Sequence, residues 1–220
     1  LLIDEASLEV AVVDCCRQFF INSGQSCNAP SRLLVPHHLQ EKAAAIAKNY
    51  AESLTIGTAL DKDTVMGPVV SQVHYDKIQA FIQTGIDAGA QLICGGRDRP
   101  LGLERGYYVK PTVFSEVDNT MLIAREEIFG PVLSILSYET EADAITIAND
   151  SRYGLAAYIY SSDIEHAHTL ATQLRVGMVH INGADNDFRL PFGGYGRSGN
   201  GREWGDYGFE EFLETKAIMG

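Results

Sequence analysis

Between residues 8 and 20 the apolar side chains recur at Leu8, Ala11, Val12, Cys15, Cys16 and Phe19, the spacing of a helix with one buried face. Ser7 stands where an N-cap would sit. Asn22 and Gly24, which tolerate left-handed backbone, end the period. Residues 31–35 then form a short apolar run stopped by Pro36, which reads as a strand. Leu39, Ala43, Ile46, Ala47 and Tyr50 mark a second amphipathic helix with Glu41, Lys42 and Lys48 on its outer face. Residues 57–68 have turn chemistry and no period, and Ser71 opens a long helix with Ile78, Phe81, Ile82 and Ile86 inward, closed by Gly89.

The second half alternates in the same way. Residues 91–94 read as a strand, and 107–114 as an extended segment whose Pro111 suits an edge or a bend. Residues 132–138, 155–160 and 178–182 are further strands. Thr140 can cap a helix over 141–148, and Ser162 with Glu165 has the pattern of a capping box for a helix ending near Leu174. Leu1-Leu2-Ile3 reads as a buried strand cut off from whatever precedes it, so the chain reads as a fragment. Strands alternating with helices of this length predict an α/β fold: an open, mostly parallel sheet with helices on both faces. From residue 183 to 208 the chain becomes glycine-rich and poor in aliphatics, which predicts a long structured loop. Residues 212–218 are strand-like and predict a C-terminal edge strand, within one subunit or against a neighbour.

Charge and cysteine usage narrow the partners. A net charge of -12 disfavours a polyanion partner such as nucleic acid, whose binding rests on a basic surface. Four cysteines in 220 residues are too few for a disulfide framework and lack the paired spacing of a zinc site, which favours a reducing, cytoplasmic setting. No apolar run reaches transmembrane length, so no membrane partner is expected.

One thiol differs from the rest. Cys15 and Cys16 lie on the apolar helix face and Cys94 ends a strand, as core residues do, whereas Cys27 follows the helix stop among small and polar neighbours. A nucleophilic thiol needs such reach, with backbone N–H groups free to bind an oxyanion. A small residue filling a loop is the competing reading. His37, His38, His74, His166 and His168 read as surface or packing residues, His180 has no metal-spaced partner, and no histidine is placed by a motif to activate the thiol.

Gly24-Gln25-Ser26-Cys27, preceded by Phe20 and Asn22 and followed by Ser31-Arg32-Leu33-Leu34-Val35-Pro36, resembles the active-site segment of the aldehyde dehydrogenase superfamily. Glu126-Glu127-Ile128-Phe129-Gly130-Pro131-Val132 resembles its cofactor-facing turn. Pro191-Phe192-Gly193-Gly194, with Ser198-Gly199, Gly201-Arg202-Glu203 and Lys216, resembles its C-terminal signature. Gly196 departs from the pattern, since the family often has Lys there, although Arg197 lies beside it.

The resemblance implies the catalytic half of an enzyme that uses NAD or NADP to oxidise a small-molecule aldehyde to an acid. Cys27 would be the nucleophile. Glu127 would accept hydrogen bonds from the nicotinamide ribose and Phe129 would pack beside the nicotinamide, while Ile21, Ser26, Asn28 and Phe192 would approach the substrate. Phe192 as a mere anchor for the glycine loop is an equal reading. Residues 1–208 would form the catalytic domain and 209–220 an oligomerisation tail, in a homo-oligomer. The dinucleotide-binding domain, a second oxyanion donor from Asn and the water-activating Glu would lie N-terminal to Leu1, so the fragment alone is expected to be inactive. Two alternatives stay open: a non-catalytic oligomerisation or binding module of the same fold, and a relative that passes the thioester to coenzyme A.

Overall fold

The computed structural model describes all 220 residues. In chain order its elements are α1 (Leu8–Phe20), β1 (Arg32–Pro36), α2 (Gln40–Ser53), α3 (Gln72–Asp87), β2 (Gln91–Cys94), β3 (Thr112–Ser115), α4 (Leu122–Arg125), β4 (Val132–Tyr138), α5 (Glu141–Asn149), β5 (Ala156–Ile159), α6 (Ile164–Ala171), β6 (Met178–Ile181) and α7 (Gly205–Glu210).

Four strands form one sheet in the order β1-β4-β3-β2. β4 runs parallel to both β1 and β3, and β2 closes the edge antiparallel with a register shift between Leu92 and Cys94. The alternation along each inner strand divides the core in two. Leu33, Val35, Val113, Leu133 and Ile135 face α1 and α2, where Ala11, Val12, Cys16, Phe19, Ala43 and Ala47 meet them. Leu34, Phe114, Val132 and Leu136 face the other way, against Tyr75, Ile78 and Ile82 of α3 and Ile123 of α4. Apolar residues on both faces explain why Leu33, Leu34 and Val35 of β1 read as a continuous apolar run rather than an alternation.

β5 and β6 form a separate parallel pair, with Ile159 packed on Ala167, Leu170 and Leu174. The N-terminal residues join the two sheets. The Leu2 N–H donates to Leu34 O at 3.0 Å, while Ile3 N–H donates to Tyr160 O and Tyr160 N–H to Leu1 O. Residues 1–3 therefore run between β1 and the end of β5 without forming a strand; only Leu2 is fully buried, in an isolated bridge to Tyr160.

Several local expectations are corrected. Ser7 makes no cap; Asp4 accepts the Ser7 N–H instead, over a 3-10 turn that precedes α1. Ile86 is exposed, and Gly85 takes the buried position beside Phe114 and Ile123. β3 is an interior strand and not an edge, because it begins after Pro111, whose missing N–H thus costs the ladder nothing. Asp163, not Ser162, caps α6, which ends at Ala171; the Ser162 hydroxyl is taken by Asp4. Residues 212–218 form no strand, since no other strand of the chain lies beside them, and Phe212 is 88% exposed. Thr140 caps α5 as predicted, with Asp143 completing a capping box.

Candidate active site

The end of α1 sets the site. Asn22, Ser23 and Gly24 take left-handed backbone in succession, with φ of 53°, 58° and 71°. Two of them are not glycine, so the reversal costs energy that local hydrogen bonds must offset. Asn22 Nδ2 donates to Gln25 O at 2.9 Å and Ser23 Oγ to Gly67 O at 2.7 Å. Gln25 is tied at both ends of its amide, to Asn22 O and to the Val70 N–H. Only glycine fits at the third position, because a Cβ there would collide with the Gly130 carbonyl. The thiol-bearing turn and the Glu127–Gly130 corner, a hundred residues apart in sequence, therefore touch through backbone.

Beyond Gly24 the chain makes a tight turn closed by Ala29 N–H on Ser26 O at 3.1 Å. Cys27 sits within it, exposed and unpaired, whereas Cys15, Cys16 and Cys94 are buried. Burial pushes the Cys15 thiol up to about 12 and the Cys94 thiol to about 11. The N–H groups of Cys27 and Asn28 donate to nothing in the chain. A reachable thiol with unspent N–H donors can attack a carbonyl carbon and hold the oxygen that becomes negative.

Of the two adjacent carboxylates, Glu126 is tied by an ion pair to Arg152, while Glu127 is exposed and its carboxylate accepts no hydrogen bond. Phe129 follows in left-handed backbone, φ 59°. α3 holds this corner from behind. His74 Nε2 lies 2.7 Å from Phe129 O, Lys77 Nζ donates to Glu127 O at 3.2 Å, and Ile78 packs where a Cβ on Gly130 would stand.

Cys27, Ser26, Asn28, Glu127 and Phe129 share the wall of one cleft of about 220 Å³. Ile21 and Phe192 do not line it. Ile21 is exposed beside the helix end, and the Phe192 ring packs on Trp204 at 4.7 Å, with its backbone paired to Glu203. Asn182 bonds Ser161 through both ends of its amide and so fixes the start of the glycine-rich loop. At Gly196, φ is 60° and a Cβ would meet Arg152 O, so this backbone favours glycine over the Lys of the family pattern.

Sequence reasoning overlooked three supports. Arg32 is a cation at the head of an apolar strand, a visible anomaly; its buried guanidinium donates to Asn119 Oδ1, Ile147 O and Ala148 O. Burial holds it below its usual range, and nearby Arg125 adds to this. His74, a surface or packing residue by its sequence, braces the Phe129 carbonyl, and Tyr158 carries no signal beyond its place in a strand.

Residues 1–218 match the model of the aldehyde dehydrogenase family. The chain belongs to that family. Across all 220 residues it is 53% identical to a 3-succinoylsemialdehyde-pyridine dehydrogenase of a Pseudomonas species and 44% identical to a putative aldehyde dehydrogenase of Staphylococcus saprophyticus, covering 46% of each. It therefore spans about half the length of these curated relatives. Among solved structures it superimposes on a cysteine-to-alanine variant of aldehyde dehydrogenase C from Pseudomonas syringae, in complex with NAD+ and octanal. The TM-score is 0.97 at 46% identity, over 99% of this chain and 45% of that one. Betaine aldehyde dehydrogenase from Staphylococcus aureus, solved with NAD+ and a BME-modified cysteine, gives a TM-score of 0.93 at 38% identity, over 98% and 44%. For a family member, the open sheet with helices on both faces is the expected architecture, and it is the one seen.

Proposed function

We propose that these 220 residues are the catalytic part of an NAD(P)-dependent aldehyde dehydrogenase, with Cys27 as nucleophile. The observation that carries the reading is the exposed Cys27 turn, with its unspent N–H groups, sharing a cleft with a free carboxylate at Glu127. The Cys27 thiolate adds to the aldehyde carbon, and the oxygen takes up negative charge near the N–H groups of Cys27 and Asn28. Ser26 and Asn28 bound the space on either side of the sulfur, and Ile21 and Phe192 contribute from further out. Loss of hydride from the resulting hemithioacetal carbon, to the NAD or NADP that would be bound beside it, would leave the acyl group on Cys27 as a thioester until water releases the acid.

The corner fits a dinucleotide. Glu127 offers an acceptor with no partner in the chain, which suits ribose hydroxyls, and the partly exposed Phe129 ring offers a flat apolar surface. Bound NAD or NADP would supply the hydride acceptor. Residues 1–208 serve as the catalytic unit. Residues 209–220, with Phe212, Ile218 and Met219 exposed, serve as the contact to a second copy in a homo-oligomer. Four free thiols favour a cytoplasmic setting, and no helix is long and apolar enough to cross a membrane.

The test is NAD+-dependent oxidation of propanal. A full-length enzyme carrying this sequence turns over and Cys27→Ser abolishes it; retained turnover in Cys27→Ser refutes the reading. The 220 residues alone are expected not to turn over. Substantial activity from them would overturn the assignment of the dinucleotide-binding and water-activating groups to residues outside them.

A further inference from the structure

One side chain of the cleft wall that has no part in the scheme above spends its polar atom on the nucleophile turn itself. Tyr158, on β5, donates its hydroxyl to Asn28 O at 3.0 Å. Its ring lies flat on the imidazole of His180 in β6, with centroids 4.9 Å apart and 15° between planes, and the two residues are register partners in that parallel pair. His180 is held in turn by Nδ1, 2.8 Å from Ala184 O, while its buried Nε2 has no partner. A continuous row thus runs from Ala184, in the glycine-rich segment, through His180 and Tyr158 to the carbonyl next to Cys27.

We propose that Tyr158, backed by His180, is a positioning residue that fixes the Ser26–Ala29 turn and so sets the direction of the Cys27 thiol and the adjacent N–H groups. This rests on Cys27 being the nucleophile. The Ala29 N–H to Ser26 O bond is the only backbone bond joining residues 26–29 to one another, and the Ser31 N–H ties the turn's exit at Ala29 O. Nothing else in the chain donates to Asn28 O, so loss of the Tyr158 hydroxyl frees that peptide plane to rotate. Burial pushes the Tyr158 hydroxyl up to about 12, with Cys15, Asp14 and Cys27 adding to it, so it stays protonated and remains a donor through neutral pH. Two stacked rings locked by strand pairing are a rigid support, as a group that orients a reacting atom requires.

The measurement is the second-order rate of iodoacetamide alkylation of Cys27 in the 220-residue chain, with Cys27→Ser as the background for the buried thiols. Tyr158→Phe keeps the ring and the stack and removes one oxygen; it should slow alkylation roughly three- to tenfold, the range of one hydrogen bond. His180→Ala should slow it similarly, and His180→Phe, which restores a flat ring, should recover much of the rate. Tyr158→Phe leaves that packing in place, so its slower rate reports the loss of the hydroxyl bond to Asn28 O alone. Equal rates in the native chain and Tyr158→Phe overturn the proposal while leaving a fast Cys27 as nucleophile. A native Cys27 that reacts no faster than an unfolded cysteine overturns the nucleophile reading and this one together. If Tyr158→Phe does not fold, the His180 pair decides: both variants at the native rate overturn the proposal, and loss in Ala with recovery in Phe supports it.

Discussion

Gly24→Ala tests the contact that brings the two halves of the site together. Two separate costs arise at that position. The backbone has φ 71°, and an L-residue in left-handed conformation costs roughly 1–2 kcal/mol. The new Cβ also meets the carbonyl carbon and oxygen of Gly130, which are backbone atoms and cannot swing aside as a side-chain tip would. Overpacking of that kind costs about 1–3 kcal/mol. The sum is about 2–5 kcal/mol, and at about 2–4 °C per kcal/mol for a chain of this size the melting temperature should fall by roughly 4–20 °C. Gly89→Ala provides the control. Its φ is 86° and nothing lies within 4 Å of the added Cβ, so it carries the conformational cost alone. Thermal denaturation followed by circular dichroism measures both variants. Should Gly24→Ala melt within a degree of Gly89→Ala, the close approach of the Cys27 segment to the Gly130 corner is wrong.

Other outcomes follow from the same geometry. At pH 8, Ellman's reagent should titrate one thiol quickly and release the other three only on unfolding; Cys27→Ser removes the fast phase, since burial raises the other thiols and closes them to reagent. Ile135→Ala, at a position with no solvent exposure between α1, α2 and the sheet, should lower stability by roughly 2–5 kcal/mol in urea titrations. For Asp4, burial raises the carboxyl, but hydrogen bonds from Ser162 and Ser7 outweigh it and hold the group below its usual value. A depressed acid stabilises the fold above its unfolded pKa and loses that contribution as pH falls through its folded pKa. The melting temperature should therefore drop on acidification below about pH 4, and less steeply in Asp4→Asn. In a full-length enzyme carrying this sequence, Glu127→Gln should raise the KM for NAD+ by roughly ten- to hundredfold, the range of hydrogen bonds to a charged acceptor. Glu126→Gln should leave it near the native value, because that carboxylate already pairs with Arg152.

Local chemistry determined much of this protein before any coordinates. The 3.6-residue period placed α1, α2 and α3, whose expected apolar positions are buried or half-buried apart from Ile86, and the apolar run of β1 announced a strand covered on both sides. Cys27 stood out from the other thiols because its neighbours are small and polar, and it alone is exposed. Decisions that depend on pairing at a distance were not legible. That β3 lies inside the sheet, that residues 212–218 have no strand beside them, and that residues 1–3 bridge β1 to the end of β5 by backbone hydrogen bonds are properties of neighbours far along the chain. The same holds at the site. The family resemblance singles out Glu127 and Phe192, but local chemistry does not separate Glu126 from Glu127 until Arg152 occupies one of them, nor show that Phe192 packs on Trp204. Tyr158 and His180 stack beside the Cys27 turn only because a parallel register sets them side by side. Periodicity and turn chemistry act over a few residues and can be read from them; partner choice is fixed by which surfaces meet when the whole chain collapses, and only the tertiary structure records it.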